Sequence, residues 1–399
     1  MKIASAVLLG VLVCGLCAAQ DNAKTRAVAP LTVGKDGMIL RDGKPYRAIG
    51  INYFSAFSRT LDNPKDTSYR QGFDELAKRG IPFIRFMACA FWPRDWKLYR
   101  EDKEAYFRLL DDVVKAAEEK GIGLVPSLFW YMACVPDLVD ESCDQWGNPD
   151  SKTIAFMRTY TAEVVRRYKD SPAIWAWELG NEYSLAADLP NAADHRPPVH
   201  PTLGTRSARS ADDDMTHDMI VTACREFAKE VRKYDKLRPI TTGHSLPRAS
   251  AHHQRIEKSW TADTKEEFQA NLIDVTPDPI DLISVHVYPF DEKSRFKQEK
   301  ASYEEILSLC MQSAAKAGKA LFVGEFGASD NEKDASPEDA RRNNAEMIAA
   351  IEKTRVPLAA LWVFDLPDQD SFINVIPTNQ RAYLLDELAK ANQRLREEK

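Results

Sequence analysis

The chain has 399 residues, of which 44% are hydrophobic and 29% are charged. This composition is that of a globular protein with one large domain or two smaller ones. The formal net charge is −6, and acidic and basic residues are mixed along the whole length. Such a distribution offers no basic face for a nucleic acid and no polybasic anchor for a membrane, so we expect a neutral partner.

The first twenty residues, MKIASAVLLGVLVCGLCAAQ, have the pattern of a secretory signal peptide. A lysine near the start precedes an apolar run, and small residues suit cleavage after Ala19. We therefore expect residues 1–19 to be removed and the protein to be secreted or periplasmic. Lipid attachment at Cys14 or Cys17 is disfavoured because neither cysteine follows the small residue that a lipoprotein signal requires. No later apolar run is long enough to span a bilayer.

Five further cysteines follow, an odd number without the spacing of a metal site. Cys134 and Cys143 flank a short polar stretch, and they either close it with a disulfide or stay as two reduced thiols. Cys224 and Cys310 fall on the apolar faces of predicted helices, which favours small core residues.

Turn signals at residues 35–37 and 41–43 separate short apolar runs, and they predict a hairpin that leads into the first strand of the core. From there apolar, strand-like runs alternate with amphipathic stretches that have helical spacing. The strand-like runs cover residues 47–53, 81–88, 122–129, 172–179, 238–243, 281–288, 319–324 and 358–364.

Eight strand and helix units in alternation predict an α/β protein with a parallel sheet, and specifically a (β/α)8 barrel in one domain over residues 30–399. Ser336 and Pro337 have the pattern of a helix start, with the serine as N-cap. The segment 184–214 is long, irregular and rich in proline. We expect it to pack over one end of a cleft, since connections of this length usually serve a site.

Polar and aromatic side chains mark the carboxyl ends of most predicted strands. In (β/α)8 barrels these ends carry the active site, whereas residues in the middle of a strand fill the core. The candidate site residues are therefore Arg85, Trp130, Asn181, Glu182, His244, His286, Tyr288, Glu325 and Trp362.

Glu182 and Glu325 stand out because each is a carboxylate at the end of a strand, close to a glycine and to aromatic residues. Cleavage of a glycosidic bond takes one carboxyl group that protonates the leaving oxygen and one carboxylate that faces the reacting sugar carbon. The pair therefore indicates glycoside hydrolysis, with carboxyl groups about 5 Å apart if configuration is retained. We expect Glu178, which lies on the strand itself, to pair with a basic residue such as Arg85 rather than to catalyse.

The sequence WELGNEYS around Glu182 is similar to the strand-four signature of the clan A retaining glycosidases, and FVGEFG around Glu325 resembles their strand-seven segment. Glycoside hydrolase family 5 is the family that the chain resembles most closely. The family's arginine after strand two, His-x-Tyr after strand six and tryptophan after strand eight are matched in order by Arg85, His286, Tyr288 and Trp362. The resemblance extends over about residues 45–365.

The resemblance implies that Glu182 is the acid/base, that Glu325 is the nucleophile, and that Asn181 contacts a sugar hydroxyl on the nucleophile's side. Arg85 and Tyr288 would then keep Glu325 ionised, the first by its charge and the second by donating a hydrogen bond. Glu182 would have to stay protonated through burial or through repulsion between like charges.

Further residues bear on sugar binding. Trp362 offers a flat face for a pyranose ring. Many family members have histidine or asparagine after strand three, where this chain reads SLFWYMACVPD, so we expect Trp130 to serve as a sugar platform instead. His244 is either a hydrogen-bonding residue behind the substrate or a histidine at the edge of the core. WELGNE is closer to the WELANE of β-mannanases than to the cellulase form, which favours mannosides.

The expected function is that of a secreted, retaining β-glycosidase that acts on a β-linked polysaccharide or oligosaccharide of the mannan or glucan type. The alternative is a carbohydrate-binding barrel that has the cleft but no turnover. None of the candidate residues is a lysine, and no cluster of carboxylates and histidines has ligand spacing, so we expect neither a cofactor nor a metal. The sequence leaves open whether cleavage is internal or from a chain end, and which oligomer forms.

Overall fold

The computed structural model describes residues 30–34, 36–331 and 335–398. The expected signal peptide at residues 1–19, with Cys14 and Cys17, lies outside the described residues. Within the described part, no helix combines the length and the apolar character needed to cross a membrane.

A small antiparallel sheet begins the described chain. It consists of β1 (Thr32–Val33), β2 (Ile39–Arg41) and β3 (Lys44–Pro45), in that order. The predicted hairpin is therefore a three-stranded sheet, because both turn signals reverse the chain. Leu31, which precedes the sheet, and Ile39, which belongs to β2, are buried in an apolar cluster with Phe83 and Trp175. This cluster lies near the starts of the barrel strands.

Eight parallel strands close into a barrel, which confirms the predicted fold. Each overlaps one of the eight predicted apolar runs, since strands covered by helices outside and by side chains inside are apolar on both faces. The strands are β4 (Ala48–Asn52), β5 (Phe83–Met87), β6 (Gly123–Phe129), β7 (Trp177–Gly180), β8 (Ile240–Thr241), β9 (Leu282–Val287), β10 (Ala320–Phe326) and β11 (Leu358–Leu361). Pairing of β11 with β4 closes the ring.

Helices surround the barrel, and short ones interrupt the loops. They are α1 (Ser58–Asp62), α2 (Tyr69–Lys78), α3 (Lys97–Glu101), α4 (Lys103–Lys120), α5 (Cys134–Leu138), α6 (Lys152–Tyr168), α7 (His217–Tyr234), α8 (Ala251–Glu257), α9 (Lys265–Asp274), α10 (Tyr303–Lys316), α11 (Pro337–Lys353) and α12 (Tyr383–Glu397). The predicted start of α11 is confirmed, because Ser336 Oγ accepts a hydrogen bond of 3.1 Å from Asp339 N and Pro337 is the first helical residue.

The last helix, α12, is fixed to the barrel by one buried side chain. Asn392 Oδ1 accepts from Ile49 N at 2.9 Å, and Asn392 Nδ2 donates to Ile49 O at 2.7 Å. The asparagine thus satisfies both backbone groups of a residue in β4, which connects the end of the described chain to its first barrel strand.

The five cysteines of the described chain are all buried and free. Trp96 Nε1 donates to Cys134 Sγ at 3.1 Å, so that sulfur already has a hydrogen-bonding partner. Cys134 and Cys143 are therefore two thiols and do not form the disulfide that the sequence left possible. Cys224 and Cys310 lie in the core, as their helical positions predicted.

Candidate active site

Glu182 stands on a tight turn directly after β7. Gly180 allows this turn, because a Cβ at that position would lie 2.5 Å from Phe129 O. Glu182 itself adopts the left-handed conformation, with φ of 56°, which is uncommon for a residue other than glycine. Its backbone N–H donates to Gly243 O at 2.8 Å. The turn is thereby fixed on both sides, and the Glu182 side chain lines the cleft.

Glu325 lies one residue before the end of β10, next to an irregularity in the strand. The register of β10 against β9 shifts between Val323 and Glu325, so Gly324 occupies a β-bulge. A bulge turns the following side chain away from the regular alternation of a strand. Asn52 Nδ2 donates to Gly324 O at 2.9 Å and thus holds the bulge.

The two glutamates face each other across the cleft. One side-chain oxygen of Glu182 and one of Glu325 lie within 4.8 Å of each other. Arg85 Nη1 donates to Glu325 Oε1 at 2.7 Å, and Tyr288 OH donates to Glu325 Oε2 at 2.5 Å. Both side-chain oxygens of Glu325 are therefore held in place by donors.

Arg85 is the buried centre of the site. Its Nε donates to both oxygens of Glu178, at 2.8 and 3.0 Å, which confirms the expected pairing. Its two Nη atoms also reach Asn181 Oδ1 at 2.8 Å and Asn52 Oδ1 at 3.1 Å. Burial raises the pKa of Glu178 to about 7, against the opposing effect of the arginine. One guanidinium thus orients four side chains that lie in or directly after three strands, β4, β7 and β10.

Glu182 has a different environment. It is half-buried, and burial raises its pKa above the usual value. His286 Nδ1 lies 2.8 Å from Glu182 Oε1. Burial lowers the pKa of His286 to about 3, so this ring is neutral near pH 7. A raised pKa beside a neutral partner suits a carboxyl group that enters a reaction protonated.

The cleft above these groups has a volume of about 990 Å³ and is bordered by aromatic side chains. Trp362 lines it, and its orientation is set by a hydrogen bond of 2.8 Å from Nε1 to Gln369 Oε1. Trp130 also lines the cleft but is only 6% exposed, because it covers Arg85, whose Cζ lies 4.4 Å from the ring centroid. Little of Trp130 is thus available as the expected sugar platform.

Three candidates, Arg85, His244 and His286, do not line the cleft. Arg85 and His286 contact the two glutamates that do, whereas His244 lies against α7. Its side chain is buried, with Nε2 3.7 Å from Cys224 Sγ on α7. Ser284 Oγ on the neighbouring β9 donates to its carbonyl oxygen at 3.0 Å. These contacts fit a histidine at the edge of the core, and a role of His244 in substrate binding stays a prediction.

The long segment 184–214 packs beside the cleft. Its His200 ring contacts Trp92 with centroids 5.6 Å apart, and its Thr202 O accepts from Arg94 at 3.4 Å; both contacted residues line the cleft. Arg209 anchors the segment by two hydrogen bonds of 2.7 Å to Asp137. The segment thus packs against residues that line the cleft. That it covers one end, and that it influences substrate choice, stay predictions.

Among the residues that the structure describes, two groups of side chains have ligand atoms close enough to hold a cation, although no ligand spacing was evident in the sequence. The first is formed by Glu182, His286 and Glu325, where both oxygens of Glu325 already accept hydrogen bonds. The second, which comprises His253, Asp263 and Glu267, lies after β8. The expectation that no metal takes part stays a prediction.

Sequence reasoning missed several cleft residues, among them Asn52 behind Arg85, and Ser245 and Phe290 in the lining. Asn52 ends β4, so its place at a strand end was a usable signal. Ser245 and Phe290 follow strands as ordinary loop residues, and only the neighbouring strands make them part of the site.

A closed (β/α)8 barrel with a pair of carboxylates at the carboxyl ends of its strands defines the class of glycoside hydrolase barrels. A family model described as cellulase, glycosyl hydrolase family 5, matches residues 41–364. The chain therefore belongs to glycoside hydrolase family 5.

The chain is similar to curated proteins from fungi over part of its length. The mannan endo-1,4-beta-mannosidase F of Aspergillus fumigatus is 27% identical over 186 residues, which are 40% of this chain and 41% of that protein. The probable mannan endo-1,4-beta-mannosidase C of Aspergillus terreus is 38% identical over 95 residues, 21% of this chain and 23% of that protein. These matches span less than half the length of either relative.

Solved structures resemble the whole barrel. The endo-1,4-beta-mannanase from Rhizomucor miehei has a TM-score of 0.65 at 16% identity, covering 93% of this chain and 100% of that one. The exo-beta-1,4-mannosidase Op5Man5 from Opitutaceae bacterium strain TAV5 has a TM-score of 0.61 at 17% identity, covering 91% and 63%. At these identities the likeness concerns the fold.

Proposed function

We propose that this protein is a glycoside hydrolase that cleaves β-linked mannan, or a closely related β-linked glucan, with retention of configuration. The observation that carries the proposal is the separation of the carboxyl groups of Glu182 and Glu325, which is within 4.8 Å for one pair of oxygens. Retaining glycosidases hold their two carboxyl groups about 5 Å apart, whereas inverting enzymes leave room for a water molecule, at roughly 6.5–9.5 Å.

The surroundings of the two groups support distinct roles. Glu325 accepts hydrogen bonds from Arg85 and Tyr288 and is thereby oriented as the nucleophile. Glu182, with its raised pKa, protonates the leaving oxygen and then accepts a proton from water in the second step. Asn181, oriented by Arg85, is available to a hydroxyl of the sugar bound at Glu325.

Mannan as the substrate is supported by the names of the curated relatives, both mannan endo-1,4-beta-mannosidases, and by the WELGNE sequence around Glu182. Incubation with mannan, glucomannan, cellulose, β-1,3-glucan and aryl glycosides, followed by sizing of the products, tests this choice. Short oligosaccharides from mannan are the expected result. A barrel that only binds carbohydrate would release no product from any of these substrates.

The roles of the glutamates are tested by replacing each with alanine in the presence of azide. Glu182→Ala still forms the glycosyl-enzyme from an aryl mannoside with a good leaving group, and azide releases it as the β-mannosyl azide. Glu325→Ala forms no covalent intermediate, so azide attacks the substrate directly and gives the α-azide. The opposite pattern of azide products would reverse the assignment.

We also propose that the protein is exported, because residues 1–19 have the pattern of a signal peptide. Expression of the full chain in a bacterium, followed by N-terminal sequencing of the exported fraction, tests this. A mature terminus at Gln20 is expected, and an intact chain in the cytoplasm would contradict the proposal.

A further inference from the structure

Phe290 is an exposed aromatic residue in the lining of the cleft. Its side chain is 66% exposed, although large apolar side chains are usually covered. It follows β9 by three residues and lines the same cavity as Glu182 and Tyr288. The ring therefore offers a flat apolar surface within the space where substrate binds.

The Phe290 ring is held in a defined orientation. It lies nearly parallel to the Tyr288 ring, with an angle of 10° and centroids 5.7 Å apart. Asp291 Oδ2 accepts from Tyr288 N at 2.8 Å, so the backbone on both sides of Phe290 is fixed. Arg295 donates to Asp291 Oδ1 and to Pro247 O, both at 2.7 Å, which ties this loop to the segment after β8.

The order of the strands decides which sugar can reach Phe290. β9 and β11 flank β10, which carries Glu325, so Phe290 and Trp362 follow the strands on either side of the nucleophile. His286, the partner of Glu182, is also on β9. Phe290 is therefore on the side of the group that protonates the leaving oxygen, and Trp362 is on the other side.

We propose that Phe290 is the stacking platform for the sugar unit that leaves in the first step and for an acceptor sugar in the second. Sugar rings stack through their C–H faces on aromatic rings, as expected of an exposed ring with a fixed orientation. This inference rests on the proposed function.

Phe290 then influences whether the glycosyl-enzyme reacts with water or with an acceptor sugar. In transfer to a sugar, the ester bond between the anomeric carbon and Glu325 breaks, and a bond forms from that carbon to the acceptor hydroxyl oxygen. The proton of the hydroxyl passes to the Glu182 carboxylate. Water needs no platform, whereas an acceptor sugar does, so the platform favours transfer over hydrolysis.

The test is the ratio of transfer to hydrolysis in Phe290→Ala. β-Mannosyl and β-mannobiosyl fluorides serve as donors, because fluoride places no sugar on Phe290, and mannobiose serves as the acceptor. We expect the ratio of transfer to hydrolysis at a given mannobiose concentration to fall about fivefold in this variant, whatever the change in the overall rate of fluoride consumption. Phe290→Trp, which keeps a flat face, should retain the ratio.

Trp260→Ala is the matched control, since Trp260 is 59% exposed and is not among the residues that line the cleft. The inference is overturned if Phe290→Ala leaves the ratio of transfer to hydrolysis unchanged. It is also overturned if Trp260→Ala lowers this ratio equally. If the wild-type protein cleaves neither fluoride, the proposed function fails and the inference fails with it. Cleavage of the fluoride with no effect of Phe290→Ala refutes only the role of Phe290.

Discussion

At the scale of single residues, the site depends on how the positive charge of Arg85 is shared between two carboxyl groups. The Arg85 guanidinium donates to Glu178 and to Glu325, so two buried carboxylates face one positive charge. Tyr288 supplies the second donor to Glu325, and the Phe290 ring stacks on one face of the Tyr288 ring. The orientation of the Glu325 carboxyl group therefore depends on a hydroxyl group as well as on the arginine.

Tyr288→Phe should lower kcat by roughly 100-fold and change KM little, because removal of one oriented donor to a reacting group usually costs about that much. Kinetics on mannan measure both constants. Tyr69→Phe is the control, since its hydroxyl donates to Asp112 at 2.6 Å between α2 and α4, away from the cleft. An equal loss in both variants, or none in Tyr288→Phe, would remove the tyrosine from the mechanism.

The raised pKa of Glu182 predicts the alkaline limb of the pH profile. Glu182 acts in its protonated form, so kcat/KM on mannan should fall as the pH rises through its pKa, which lies above the usual 4.5. On β-mannosyl fluoride, whose leaving group needs no proton, this fall should be absent. The same alkaline midpoint on both substrates would assign the limb to another group.

At the scale of elements, the barrel strands were predictable and their irregularities were not. The eight apolar runs identify strands because both faces of each strand are buried. The strand Lys44–Pro45 was missed because its two residues are exposed and carry no apolar pattern. The bulge at Gly324 depends on pairing with β9, and the burial of His244 depends on α7, so neither can be read from local sequence.

Asn392→Ala should reduce the free energy of unfolding by about 2–4 kcal/mol, because it leaves the buried N–H and C=O of Ile49 without a side-chain partner. Denaturant unfolding measures the change. The neighbouring Gln393→Ala, at an exposed position whose Nε2 donates to Glu397 Oε1 at 3.1 Å, should cost less than about 0.5 kcal/mol. Similar effects of the two substitutions would mean that α12 is not fixed through Asn392.

At the scale of the whole molecule, one end of the barrel is closed and the other carries the site. The small sheet and the apolar cluster with Leu31, Phe83 and Trp175 lie at the amino ends of the strands. All the loops that line the cleft follow strands at the opposite ends, as in other (β/α)8 barrels. The positions of Glu182 and Glu325 could thus be predicted from strand ends alone. The cleft walls consist of loops whose paths cannot be read from the local sequence pattern.

The barrel is held together without disulfides among the described residues, since all five cysteines there are buried thiols. The melting temperature should therefore be the same with and without a reductant. An alkylating reagent should modify none of the five in the native protein and all of them after unfolding, as mass spectrometry would show. A mass two hydrogens lower for a peptide pair containing Cys134 and Cys143 would contradict the structure.

The stereochemical course of hydrolysis tests the central claim most directly, because it depends on the separation of Glu182 and Glu325 and on little else. Proton NMR of a concentrated enzyme sample with mannotetraose, recorded before mutarotation, identifies the anomer that forms first. With retention, we expect the β-anomer of the new reducing end to appear first and the α-anomer to form later by mutarotation. First appearance of the α-anomer would mean inversion, and it would contradict a covalent intermediate on Glu325.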